Sequence, residues 1–392
     1  MLFVGEGSTL AHAARCLALA AALPRTRYEA ILALPERYRQ WVPPHVAWVN
    51  LQTQDPAVFA QRLTEARPLF STQTLKDYFE IDMALLGETR PDVVVGDLRL
   101  SLAVSAREAK VPYLTISNAY WSSDLPLRVE RPALTALRWM PRPMAEAAFR
   151  VLLPGALKGH VRPLAKLAAS RGMEMKLDVR RVVTEADVVL YADIPGLFPG
   201  VVETPRQRFL GPVLWAPPTQ LPAWWEDVPE ERPIAYLTLG SSGDARLLER
   251  LCAWLEALEF TVMVATAGRA DLKPGPARFV ADYLPGAQAC ARADVVICNG
   301  GSPTATQALM AGKPVLGVCG NMDQFMNMRA IRARGAGLVI RADRPRRSRF
   351  ERGVDRLLMP RFGRAAEALR REGQAANPAA VLADAIDGLM PG

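Results

Sequence analysis

Residues 293–327 read ADVVICNGGSPTATQALMAGKPVLGVCGNMDQFMN, and this stretch decides how the rest of the chain is understood. Asp294 to Cys298 is a short β-branched run, the pattern of a parallel strand buried on both faces. Asn299-Gly-Gly-Ser-Pro-Thr304 predicts a tight turn, and a helix follows from about Ala305 to Ala311. A glycine turn leading into a helix N-terminus presents unpaired backbone N–H groups and the positive end of a dipole. That geometry suits a diphosphate, and ligands in open α/β sheets sit beyond the carboxyl ends of strands. A strand–turn–helix joint whose glycines serve only close packing fits the same residues.

Outward from this stretch, strand-like runs recur at Ile234 to Gly240, Thr261 to Thr266, Ala277 to Val280 and Pro314 to Val318. The N-terminal half shows the same alternation. Leu2 to Val4, Tyr28 to Leu34, Val46 to Leu51, Asp92 to Asp97 and Val111 to Ser117 read as strands. His12 to Leu23 and Ser101 to Ala109 read as helices. Strands alternating with helices predict an α/β fold with parallel, doubly wound sheets. Val188 to Tyr191 is expected to be the last strand of the first domain. Phe209-Leu-Gly-Pro-Val-Leu-Trp-Ala-Pro-Pro218 opens a stretch dense in Pro and Trp that runs to Pro233 and marks a linker. The expected organisation is therefore an N-terminal domain over 1–212, a linker over 213–233 and a second domain over 234–375. A C-terminal helix over 376–392 would pack back on the N-domain. Residues 124 to about 180 break the rhythm with Arg, Leu, Ala and Pro. Their amphipathic stretches Ala145 to Leu153 and Val161 to Ala169 fit helices covering an acceptor cleft, or a membrane-surface role.

At 392 residues, half of them hydrophobic and 22% charged, the chain suits two folded domains rather than a disordered segment. No apolar run is long enough to span a bilayer. The opening Met1-Leu-Phe-Val-Gly5 reads as a strand rather than a secretory leader. Five cysteines (Cys16, Cys252, Cys290, Cys298, Cys319) lack metal-ligand spacing and fit reduced thiols, so a cytoplasmic protein is expected. The formal charge of +8 reflects either an Arg-rich composition or an anionic partner. The densest basic run, Arg344-Pro-Arg-Arg-Ser-Arg349, has no interleaved aromatics to stack bases, which argues against nucleic acid.

Gly300, Gly301, Thr304, Ala308, Leu309, Gly312, Pro314, Asp323 and Gln324 fall in order and spacing on a known signature. The stretch resembles the donor-binding motif of the GT-B glycosyltransferases that include the macrolide transferases and the UDP-glucuronosyltransferases. Tyr283-Leu284-Pro285, Leu239-Gly240-Ser241-Ser242 and Gly211-Pro212 stand where that family has its further motifs. The resemblance implies two Rossmann-like domains facing a central cleft. It also implies transfer of a sugar from a UDP- or dTDP-linked donor to the hydroxyl of a small-molecule acceptor, with inversion. No metal or other cofactor is expected. Ser302 belongs to the same donor turn, and Asp323 and Gln324 are expected to grip sugar hydroxyls. This sequence departs from the family at three places. Asn299 stands for the histidine that touches the diphosphate, Pro303 for the last glycine, and Gln307 for the acidic ribose ligand. Amides can still form hydrogen bonds there, without an ionic contribution.

The family places its base, a histidine, just after the first strand, where this sequence has His12 in Gly5-Glu-Gly-Ser-Thr-Leu-Ala-His12. A helix N-terminus disfavours protonation of an imidazole and leaves it ready to accept a proton. Asp97, after Val93-Val-Val-Gly96, is expected at the same cleft as partner of that base, or else as a helix cap. A dinucleotide oxidoreductase fits poorly, since Gly5 and Gly7 are followed by Leu10 where the fingerprint needs glycine. The same motifs would also serve a lipid-linked transferase at the membrane surface, with peripheral membrane contact, or a catalytically silent protein that binds sugar nucleotides.

Overall fold

The computed structural model describes residues 1–133, 139–176, 178–217 and 219–390. The linker residue Pro218 and part of the irregular 124–180 region therefore lie outside the described residues.

The first sheet contains β1 (Leu2–Gly5), β2 (Ile31–Leu34), β3 (Ala47–Asn50), β4 (Val94–Asp97), β5 (Tyr113–Ser117), β6 (Val188–Tyr191) and β7 (Gln207–Phe209). Its order is β3-β2-β1-β4-β5-β6-β7, all parallel. The second sheet contains β8 (Ile234–Thr238), β9 (Thr261–Ala265), β10 (Arg278–Ala281), β11 (Val295–Cys298), β12 (Val315–Cys319) and β13 (Gly337–Arg341). Its order is β10-β9-β8-β11-β12-β13, again parallel. Both are doubly wound, Rossmann-like sheets. Strands β1, β4 and β5, and strands β8, β11 and β12, are buried along most of their length, because helices cover both faces.

The N-domain helices are α1 (Leu10–Ala22), α2 (Pro56–Thr64), α3 (Thr72–Thr89), α4 (Leu102–Glu108) and α5 (Arg142–Ser170). The second domain carries α6 (Leu248–Glu256), α7 (Gly286–Arg292), α8 (Ser302–Met310), α9 (Met322–Ala333), α10 (Arg347–Leu357) and α11 (Pro360–Gln374). The last helix, α12 (Pro378–Asp387), packs Leu382, Ala385 and Ile386 into the N-domain core beside Leu17, Ala20 and Leu23.

Two expectations are corrected. The first sheet does not end at Tyr191: the short polar strand β7 extends its edge, on residues that composition assigns to the approach of the linker. The two amphipathic stretches of the irregular region are one helix, α5, which carries Pro154 and Pro163 inside it.

Topology decides where function can lie. In each sheet the strand order reverses between the first and fourth strands in chain order, β1 with β4 and β8 with β11. Crevices for ligands open at the carboxyl ends beside such switch points.

Candidate active site

His12 occupies the first turn of α1, which follows β1, and Asp97 is the last residue of β4. The β1–β4 register pairs Gly5 with Asp97, and the Glu6 N–H donates to the Asp97 carbonyl at 2.9 Å. The two side chains are thereby brought together, with His12 Nδ1 2.7 Å from Asp97 Oδ1. An Nδ1–H donated to the carboxylate leaves Nε2 with its lone pair free. The capping role for Asp97 fails, because Ser101 precedes α4 and the Asp97 side chain is fully buried against α1.

Arg15 completes the cluster. Its Nε donates to Asp97 Oδ2 at 2.6 Å and its Nη2 to Oδ1 at 2.7 Å. Burial works against the Arg15 charge, but Asp97 beside it outweighs that and raises the guanidinium's pKa. Arg15 Nη1 also donates to Asn118 Oδ1 at 3.1 Å. Asn118 Nδ2 donates to Asp193 Oδ1 at 3.0 Å and to Ser302 Oγ at 3.1 Å, so the network crosses into the second domain. Burial pushes the Asp193 carboxyl up to about 6, against the hydrogen bonds from Ala119 N–H and Asn118. Sequence reasoning missed Arg15, Asn118 and Asp193. Only Arg15 left a signal, its i, i+3 spacing from His12 on one helix face.

The donor turn follows β11. Gly300 has φ +83°, and a Cβ there would lie 2.6 Å from Cys319 Sγ and 2.7 Å from Met328 Cγ, so only glycine fits. Asn299 closes the turn on itself: its Oδ1 accepts from the Gly301 N–H at 2.9 Å and its Nδ2 donates to Ser242 Oγ at 3.0 Å. The set of N–H groups that an anion could meet is therefore smaller than the full turn. The Gly300 N–H points at Cys298 Sγ, Gly301 is engaged by Asn299, and Pro303 has no N–H. Among the described residues, the backbone N–H groups of Ser302 and Thr304 at the start of α8 have no hydrogen-bond partner.

The remaining candidates divide. Gly240, at φ +55°, and exposed Ser241 and Ser242 border the cavity, and Ser242 Oγ accepts from both Asn299 and Gln324. Tyr283 is half exposed at the cavity wall, with Leu284 buried beneath the surface next to it. Gln307 Nε2 donates to the Trp215 carbonyl of the linker at 3.0 Å, leaving its oxygen unspent. Asp323 accepts from Trp121 Nε1 at 3.3 Å and is hydrogen-bonded by Tyr120. Burial raises its pKa, while the hydrogen bonds from Tyr120 and Trp121 and the positive Arg15 across the cleft oppose the rise. Gln324 is corrected: it is 2% exposed, and its Oε1 accepts from Gly320 and Asn321 N–H in the capping box of α9. Its carboxamide oxygen is thus unavailable to a sugar.

These groups line one cavity of about 500 Å³ between the domains. His12 and Asp97 border it from one side, and Ser302, Thr304, Asn299 and Asp323 from the other. Apolar side chains of Phe59, Phe70, Leu75, Phe149, Leu153 and Leu164 line the same cavity. Among the described residues no cluster of three or more His, Cys, Asp or Glu could hold a metal, and no helix is long and apolar enough to cross a membrane.

Two doubly wound domains, with a helix N-terminus on one side of the cleft and a His–Asp pair on the other, define the GT-B class of glycosyltransferase. The comparisons agree. Residues 250–386 match the family described as "Erythromycin biosynthesis protein CIII-like, C-terminal domain". The chain is 43% identical over 360 residues to the "PGL/p-HBAD biosynthesis rhamnosyltransferase" of Mycobacterium bovis (strain BCG / Pasteur 1173P2), covering 90% of this chain and 79% of the relative. A solved glycosyltransferase of kitacinnamycin shares the fold with a TM-score of 0.72 at 20% identity, over 100% of this chain and 98% of that one. A "Spinosyn Rhamnosyltransferase SpnG complexed with thymidine diphosphate" matches with a TM-score of 0.67 at 20% identity, over 98% and 99% of the two chains. The chain belongs to the family 1-like GT-B glycosyltransferases and is a glycosyltransferase.

Proposed function

We propose that this glycosyltransferase moves a sugar from a dTDP- or UDP-linked donor to a hydroxyl of an apolar small-molecule acceptor, inverting the anomeric centre. One observation carries the reading: the 2.7 Å His12–Asp97 pair borders the same cavity as the start of α8. His12 Nε2 takes the acceptor hydroxyl proton as the oxygen attacks the anomeric carbon. The new C–O bond forms as the bond to the diphosphate breaks, and its electron pair leaves with the nucleoside diphosphate. The N–H groups of Ser302 and Thr304 and the α8 dipole receive that charge. Asp97 orients the imidazole and balances the imidazolium that forms.

Inversion is supported by the engagement of the carboxylates beside His12 among the described residues: Asp97 is held by His12 and twice by Arg15. Glu6 is fully buried, and its carboxylate is engaged by Ser8, Tyr78 and Arg99. The half-exposed Tyr283 ring offers a surface on which the base of the donor stacks. Asp323 is the ligand for a sugar hydroxyl, which would replace its bond to Trp121. The rhamnosyltransferase relative and the thymidine diphosphate bound to the spinosyn enzyme favour a dTDP-linked rhamnosyl donor over a UDP-linked one. These apolar walls suit an acceptor with an aromatic or aliphatic body.

A thermal-melting panel of nucleotides and nucleotide sugars tests the donor. Ligand at about a hundredfold excess over its Kd stabilises the folded state by about 2.7 kcal/mol, so the true donor stands out. dTDP-rhamnose is expected to raise the melting temperature most. A panel in which no nucleoside diphosphate raises it contradicts the reading.

A further inference from the structure

Helix α5 is apolar on two opposite sides. Phe149, Leu153 and Leu157 line the cavity. On the other side Met144, Val151 and Leu152 are 59%, 79% and 65% exposed. Cationic side chains flank this outer face, with Arg150, Lys158 and Arg162 all exposed. The acid near its start, Glu146, is turned toward Arg131 at 3.5 Å.

The basic run of the second domain reaches the foot of the same helix. Arg341 Nη1 donates to the Arg131 carbonyl at 2.7 Å, and Arg344 Nη2 to the Met140 carbonyl at 2.7 Å. Arg346, Arg347 and Arg349 follow as exposed residues at the start of α10, of which Arg347 pairs with Glu351. An exposed apolar strip edged by cations from two domains fits the headgroup layer of an anionic bilayer. Aqueous solvent gives such a strip no partner.

We propose that the outer face of α5, with Arg346 and Arg349, docks the enzyme on an anionic membrane surface. The inner face of the docked helix is the wall of the cavity, so an amphiphilic acceptor drawn from the bilayer has a short path to His12. This surface shares no residue with the donor site, and the proposal stands independently of the donor assignment.

Cosedimentation of the full chain with phosphatidylcholine vesicles, with and without phosphatidylglycerol, tests it. The wild type is expected to bind the phosphatidylglycerol vesicles and to release as salt rises. The double variant Val151→Asp/Leu152→Asp should bind at least about tenfold more weakly, because charges enter the apolar strip. Arg346→Glu/Arg349→Glu should lose the preference for anionic lipid. Thermal melting and circular dichroism should match the wild type in both variants, since every substituted residue is exposed. A wild type that does not sediment with anionic vesicles overturns the proposal, as does undiminished binding by the Val151→Asp/Leu152→Asp variant. Sedimentation velocity distinguishes the other occupant. A dimer dispersed by the same substitutions, without vesicle binding, assigns the face to self-association and overturns membrane docking.

Discussion

Asp97 accepts from the imidazole and twice from Arg15, so neither His12 nor its carboxylate partner is free to rotate in the cleft. His12 and Asp97 were legible because each follows a strand at a recognisable motif. Asn118 and Asp193 were not, since they meet only when β5 and β6 pair, 75 residues apart in sequence. Asp193 yields a prediction in pH. Its native pKa of about 6 lies above the ordinary 3.8, so the stability it contributes is present at low pH and is lost as pH rises through 6. Between about pH 4 and pH 7 the wild type should lose about 2–3 kcal/mol relative to Asp193→Asn. Denaturant unfolding of both proteins at the two pH values measures this, and parallel pH profiles would contradict it.

At the scale of elements, α8 and α9 show how one motif divides into ligand and scaffold. Asp323 and Gln324 are adjacent in sequence and both border the cleft, yet the Gln324 carboxamide oxygen is taken by backbone N–H groups. Asn321-Met-Asp-Gln324 is also a capping-box pattern, and that local geometry claims Gln324 for the helix start. The turn before α8 was legible as a strand–turn–helix joint, while the number of its free N–H groups was not. That number depends on where the Asn299 side chain turns. Gly301 has an extended backbone that any residue can adopt, and a Cβ there meets its first neighbour, Asn299 Oδ1, at 3.1 Å. Gly301→Val is therefore expected to fold, while its methyl groups crowd the diphosphate and abolish nucleotide binding. Calorimetric titration with dTDP and UDP checks this, and normal affinity in the folded variant would remove α8 as the phosphate site.

The whole molecule is held together by packing that crosses from one domain to the other. Ile194, Leu197 and Phe198 of the N-domain join Ala366 and Leu369 of α11 in one apolar cluster, and α12 runs back onto α1. Tyr28 Oη reinforces that return with a 2.8 Å hydrogen bond to Asp387. The two-sheet architecture was legible in the alternation of strands and helices. The interdomain cluster was not, because Ile194 to Phe198 form a single 3-10 turn, too short to show a period. Leu382 is fully buried at the α12 contact, so Leu382→Ala should cost about 2–5 kcal/mol and lower the thermal melting point. An unchanged melting point would show that α12 adds nothing to stability.

At this same scale the central claim is that the N-domain supplies the base and the second domain the donor site. His12→Ala separates the two. Turnover of this variant, measured with saturating donor and alongside its donor affinity, is the most direct test. The account predicts a loss of roughly a hundredfold to ten-thousandfold in turnover, the usual share of general-base catalysis, with donor affinity nearly unchanged. Asp97→Asn should lose less, since it orients the base without handling the proton. Wild-type turnover in His12→Ala would contradict the account.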